Sequence, residues 1–283
     1  MPGRKGEGLT IFARPWSFRE YMDFFYPDET RSLRSFHYKH VTQEWLGAQQ
    51  VSWRKMWDEY CVTGGFPRAI GEYRREGTVT DMTYKIYVDW ILGSWSKLRT
   101  PERSLCALAK RLRETLNSRV SYESLKKGTD IQSSNTIRSL MEIQEDRFSV
   151  RSMTRFDPHK AKFLPSKLKK IYPLDPFIAR VWAAIGDNIR RRYHVSVPAF
   201  PLDECAFQTQ TLRRAEELPT SYLYSETTKS EIDFFFDGLG FELKSNGKAT
   251  PKQRELLKCC EQGFVLTKDK IPLMAYLVGE GRS

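Results

Sequence analysis

The chain has 283 residues, of which 40% are hydrophobic and 13% aromatic. That length and composition suit two or three modest globular domains and exclude a chain disordered throughout. Lys and Arg number 46 against 35 Asp and Glu, a formal net charge of +11, which favours a polyanionic partner such as nucleic acid.

No apolar run approaches the ~20 residues of a membrane span, and "MPGRKGEG" at the start lacks the apolar stretch of a secretion signal. The five cysteines show no Cys-x-x-Cys spacing. A soluble, cytoplasmic protein without a zinc site or a membrane partner is therefore expected.

Residues 9–100 read as mainly helical, with aromatic side chains at helical spacing in "SFREYMDFF" and "VSWRKMWDEYCV". Ser17 is placed to cap the first helix, with Glu20 completing a capping box. "TGGFPRAI" interrupts the pattern. Its Gly64-Gly65 pair calls for an unusual backbone or close packing, and Pro67 suits the first position of a new helix. "TDMTYKIYVDWILGSW" resumes a helix with a broad apolar face.

Residues 101–170 change character. "PERSLCALAKRLRETLNSR" predicts an amphipathic helix with Leu105, Leu108, Leu112 and Leu116 on one side. A short helix follows, ending at Gly128. Ser133 or Ser134 then caps a second helix carrying Ile137, Leu140 and Met141 inward, in helix-turn-helix rhythm. "RFSVRSMTRFDPHKAKFLPSKLKKIYPLD" would form a β-wing, giving a winged helix. Ser134, Asn135 and Arg138 lie at the exposed start of the second helix, where phosphates or base edges are met. The wing adds Lys160, Lys162, Lys167, Lys169 and Lys170. The same pattern also describes a packing module that never meets DNA.

Residues 171–200 form a connector with one helix and the basic run Arg190-Arg191-Arg192. Such a run is either a solvated helix end or part of a phosphate path.

"SEIDFFFDGLGFELKSN", residues 230–246, predicts a β-hairpin. Strict alternation puts Ile232, Phe234 and Phe236 on one face and Asp233 and Phe235 on the other. A four-residue loop would set Asp233 opposite Lys244. A two-residue Asp-Gly turn would set it opposite Glu242. Either register gathers Asp233, Glu242 and Lys244 on one face, where two carboxylates could hold Mg²⁺ or Mn²⁺ and the lysine could act on a phosphate. A solvated hairpin face with a cross-strand ion pair accounts for the same spacing. Downstream, "TPKQRELLKCC" reads as a helix capped by Thr250, with Lys252 and Gln253 on a face that either is solvated or meets phosphate. "GFVLT" and "LMAYLV" read as closing strands.

The Asp, turn, Glu-x-Lys arrangement resembles the core of the PD-(D/E)xK restriction-endonuclease-like fold. "GRKGEGLTIFARPWSFREYMDFF", "YCVTGGFPRAI", the winged-helix pattern and "KIYPLDPFIARVW" precede it in the order seen in prokaryotic AAA+ ATPases that carry such a domain. The resemblance implies a multidomain α+β and α/β chain. Its parts would be a helical, lid-like region over 1–100, a winged-helix domain over 101–175 and a nuclease-like α/β domain over 176–283. It also implies that Asp233 and Glu242 bind metal, that Lys244 is catalytic, and that a further acid stands on the preceding helix. Glu204 or, at the favoured spacing, Gln208 takes that place. No Gly-x-x-x-x-Gly-Lys-Ser/Thr loop is present; "SNGKAT" lacks its first glycine, Glu242 standing there instead. No ATP site is expected in this chain. The implied function is a DNA-binding protein with a metal-dependent nuclease domain. The alternatives are a degenerate nuclease fold that binds DNA or a partner, and the regulatory half of an ATPase that self-associates or joins a missing ATPase domain.

Overall fold

A computed structural model describes residues 14–95, 100–158, 160–164, 168–187, 201–211, 219–244 and 247–279. Lys167, Arg190, Arg191 and Arg192 lie outside them. No helix in the described residues is long and apolar enough to cross a membrane.

The N-terminal region is helical. Its elements are α1 (Phe18–Phe25), α2 (Pro27–Thr30), a 3₁₀ turn (Tyr38–His40), α3 (Gln43–Ala48), α4 (Arg54–Thr63), α5 (Pro67–Glu76) and α6 (Asp81–Trp95). The Ser17 hydroxyl accepts the Glu20 amide while the Glu20 carboxylate accepts the Ser17 amide, so two otherwise unpaired helix donors are satisfied. Pro67 opens α5. Phe18, Tyr21, Trp57 and Tyr60 are fully buried, and Phe18 meets the edge of Trp57 at a ring separation of 5.0 Å.

Next come α7 (Glu102–Glu114), β1 (Arg119–Val120), α8 (Tyr122–Leu125), α9 (Ser134–Asp146), β2 (Val150–Met153), β3 (Arg155–Asp157), β4 (Lys162–Leu164) and β5 (Lys169–Pro173). Ser133 is the cap of α9, and Ile137, Leu140 and Met141 are completely buried. Strands β1, β5 and β2 form a small antiparallel sheet in that order. Helix α10 (Pro176–Gly186) packs against α7, α6 and α4. Its Phe177, Ile178, Val181 and Ile185 share a core with α6, α7, α9 and the small sheet.

The C-terminal part contains α11 (Asp203–Gln210), β6 (Ser221–Ser225), β7 (Ser230–Phe236), β8 (Leu239–Lys244), α12 (Pro251–Leu257), β9 (Gln262–Thr267) and α13 (Ile271–Val278). Six strands form one sheet in the order β4-β3-β6-β7-β8-β9. The stretch expected to form a β-wing supplies β2 and β5 to the small sheet and β3 and β4 to this one. Strand β3 pairs in parallel with β6, and Phe156 of β3 stacks on Phe235 at 4.4 Å, a contact worth about 1 kcal/mol beyond the area it buries. The described residues thus form a mixed α+β structure with two sheets, in keeping with the expected mixture of helices and strands.

The second closing strand was not found. "LMAYLV" lies within helix α13, all eight of whose residues are buried, with Pro272 in its first turn. Continuous apolar runs carry no periodicity, so a buried helix and a buried strand look alike in sequence. Proline at the start of a helix is the signal that separates them here. Helix α13 packs on α1, α11 and β9, tying the N-terminal helices to the large sheet in one core.

Candidate functional site

The β7–β8 connection is a two-residue turn at Asp237-Gly238, both with positive φ (52° and 80°). Such turns match the twist of the flanking strands. The turn selects the register Phe234 opposite Phe241, with Asp233 and Glu242 next along their strands. The ladder stops at that pair, although β7 runs back to Ser230 and β8 on to Lys244. Beyond it, β7 pairs with β6 and β8 with β9.

Alternation in β7 is broken at the same place. Across Ser221–Leu223 of β6, the partner residue changes from Phe235 to Ile232, one step more than a regular ladder allows. This is a bulge at Asp233-Phe234. The expectation that Ile232 and Phe234 share a face is therefore corrected. Ile232 packs with Leu223, Leu256 and Leu257, whereas Phe234 enters the main core against Phe207. Asp233 bridges the gap left by the ladder: its Oδ2 accepts the Leu243 amide at 2.9 Å.

A cation already stands among the carboxylates, and it comes from the small sheet. Lys170 and Tyr172 alternate with Ile171 on β5, so Ile171 enters the helical core while the other two face the large sheet. The fully buried Lys170 Nζ lies 3.0 Å from Asp233, 2.8 Å from Glu231 and 3.5 Å from Glu204. Tyr172 donates to Glu204 at 2.6 Å, and Arg119 of β1 pairs with Glu231 at 2.6 Å. Burial opposes charge on Lys170, but Tyr172, Asp233, Glu204 and Glu231 hold its pKa well above the usual lysine value. Glu204 is pushed up to about 8 by burial and by Asp233, against the pull of Lys170.

Glu242 and Lys244 form a second group on the α12 side. Lys244 Nζ is 2.6 Å from Glu242 Oε1, and the Gln253 amide donates to the same oxygen. Glu242 is 2% exposed, and its Oε2 has no hydrogen-bond partner among the described residues. Burial and the charge of Asp233 raise its pKa to about 7, although Lys244 and Lys170 oppose the shift. Asp233 thus couples the two groups electrostatically.

Of the two candidates on the preceding helix, Glu204 joins the cluster. Gln208 points elsewhere: its Nε2 donates to the carbonyls of Pro173 (3.1 Å) and Leu174 (3.0 Å). Ser134, Asn135 and Arg138 stand on the outer start of α9, with Asn135 and Arg138 exposed and Arg138 5.7 Å from the Tyr122 ring. Lys160 and Lys162 are exposed on the β3–β4 hairpin and Lys169 is half-buried. Lys170 is corrected from a phosphate contact to a buried ion-pair centre, because β5 turns that side chain toward Glu204 of α11 and Glu231 and Asp233 of β7. Lys252 is exposed on α12. Sequence reasoning missed Glu231, Tyr172 and Arg119. The Lys170/Tyr172 alternation was the available signal.

The implied Mg²⁺ or Mn²⁺ does not fit this arrangement. The position a divalent ion would take beside Asp233 is filled by the Lys170 ammonium. Among the described residues, no group of three or more His, Cys, Asp or Glu side chains is arranged to hold a metal ion.

Residues 54–188 match a domain of unknown function (DUF8612). The match runs from α4 through α10, so it includes Lys170 and Tyr172 but none of the three carboxylates, Glu204, Glu231 and Asp233, that face them. No curated protein and no solved structure matches the chain.

Proposed function

We propose that the chain is a DNA-binding protein in which a winged-helix module is docked on a restriction-endonuclease-like domain whose carboxylate cluster is held closed by Lys170. The order α7, β1, α8, α9, β2, hairpin, β5, with sheet order β1-β5-β2, supports the winged-helix reading. The observation that carries the nuclease-like reading is the parting of β7 and β8 at Asp233 and Glu242, with Glu204 reaching the opening from α11. The excess of basic residues and the exposed Asn135 and Arg138 support a phosphate partner.

Anisotropy titration with labelled duplex, branched and single-stranded DNA tests this reading. Binding at low salt should weaken as salt rises, with a log–log slope of about 0.9 per phosphate contact on duplex DNA. Absence of affinity for all three at ~50 mM salt removes nucleic acid from the account.

A hydrolytic reading is favoured by one further observation, the Glu242–Lys244 pair with the unpartnered Glu242 Oε2 beside it. Incubation of supercoiled DNA with the protein, with and without added Mg²⁺ or Mn²⁺, tests it. Cleavage that is lost in both Asp233→Ala and Lys244→Ala supports hydrolysis, and cleavage that persists in both assigns it to another site.

A further inference from the structure

We propose that Lys170 is the resident counter-ion of the Glu204, Glu231 and Asp233 carboxylates, and that replacing it with a neutral side chain turns the cluster into a divalent-cation site. The inference concerns cation occupancy and stands whether or not the chain binds or cuts DNA.

Three carboxylates lie within 3.5 Å of one buried nitrogen. An ammonium satisfies such a cluster with one charge and three donors; a divalent ion does so with two charges and oxygen ligands. Removing the ammonium alone leaves three partly buried acids facing each other, which raises their affinity for any cation able to enter. The second, independent pointer is Glu242. Its Oε2 is buried and has no partner among the described residues, within electrostatic reach of Asp233. Lys170 leaves that oxygen unserved, whereas an ion between Asp233 and Glu242 would serve it.

The lysine belongs to the small sheet and the acids to the large sheet and α11. In the wild-type chain, the ammonium and a metal ion would therefore compete for the same carboxylates. In the docked arrangement, the fold itself supplies the cation.

The test is Mn²⁺ binding to the full chain, by titration calorimetry and by the electron paramagnetic resonance signal of free Mn²⁺, for wild type, Lys170→Met and Lys170→Met/Asp233→Asn. Wild type should take up no stoichiometric Mn²⁺ and show no change in thermal midpoint. Lys170→Met should melt lower than wild type without metal, bind one Mn²⁺, and regain several degrees once Mn²⁺ reaches about 100 times its dissociation constant. The double variant should lose that response. Lys170→Gln, which keeps donors for the carboxylates, replaces Lys170→Met if the latter does not fold. Stoichiometric, Asp233-dependent Mn²⁺ binding by wild type overturns the proposal without either variant. So does a folded Lys170 variant that takes up no Mn²⁺.

Discussion

Asp175 accepts the backbone amide of Gly65 at 2.9 Å, joining two stretches 110 residues apart. The same buried carboxylate caps α10 through the amide of Phe177 at 2.7 Å. The glycines make room for it: Gly64 has φ +54°, and a Cβ there would lie 1.7 Å from Asp175 Oδ1. A Cβ on Gly65 would lie 2.0 Å from the Trp16 carbonyl oxygen. The junction between α4 and α5, the start of α10 and the segment leading into α1 thus meet at one point.

Gly64→Ala should destabilise the protein by at least about 2 kcal/mol, combining a left-handed backbone with a steric clash. Urea unfolding measures it. An unchanged midpoint would mean that the α4–α5 junction does not hold Asp175.

Burial raises the Asp175 pKa from an ordinary 3.8 to about 7, against the pull of the amides of Gly65, Phe177 and Ile178. A carboxyl whose pKa is raised on folding stabilises the fold most when protonated. Its contribution is complete below the unfolded value near 3.8 and is lost as pH climbs through about 7. Relative to Asp175→Asn, wild type should lose on the order of 3 kcal/mol between those limits. Parallel unfolding of the two proteins across that range checks the sign. A wild type that gains stability relative to the variant as pH rises contradicts it.

Gln208→Glu should cost about 3 kcal/mol, since it aims a buried acid at the Pro173 and Leu174 carbonyls that now accept from Gln208 Nε2. Glu204→Gln should cost less, because Tyr172 and Lys170 can still donate to its amide oxygen. Thermal melts of the two variants rank them, and the reverse order would place the acid of the cluster at 208 after all.

Local signals were legible wherever a few adjacent residues settle the structure. The capping box at Ser17, the Thr250 cap, the start of α5 at Pro67 and the inward residues of α9 all formed as read. The two-residue turn at Asp237-Gly238 was one of two registers open in the sequence, and the positive φ of both turn residues decides between them. Parity then failed at Asp233, because a bulge inserts one residue without any compositional mark. Lys170 was the hardest to read. Its partners lie on β7 and α11, and only the packing of one sheet against another puts an ammonium from a "KLKK" run among carboxylates. A basic run ordinarily reads as solvent-facing, and Lys169 and Lys170 differ only in which face of β5 they take.

For DNA binding, Arg138→Ala and Lys162→Ala should each lower the salt-dependence slope by about 1, with little effect on stability, since both side chains are exposed. Anisotropy titrations at several salt concentrations measure the slopes. Slopes equal to wild type would move the DNA path away from α9 and the β3–β4 hairpin.

The closed carboxylate cluster is tested most directly by a double-mutant cycle on stability with Lys170→Met, Asp233→Asn and the pair together. A buried ion pair broken from one side leaves an uncompensated charge, so each single variant should lose about 3 kcal/mol. The pair should lose less than the sum by about 2 kcal/mol or more. Losses that add within about 0.5 kcal/mol would show that Lys170 and Asp233 are not partners, and would contradict the account.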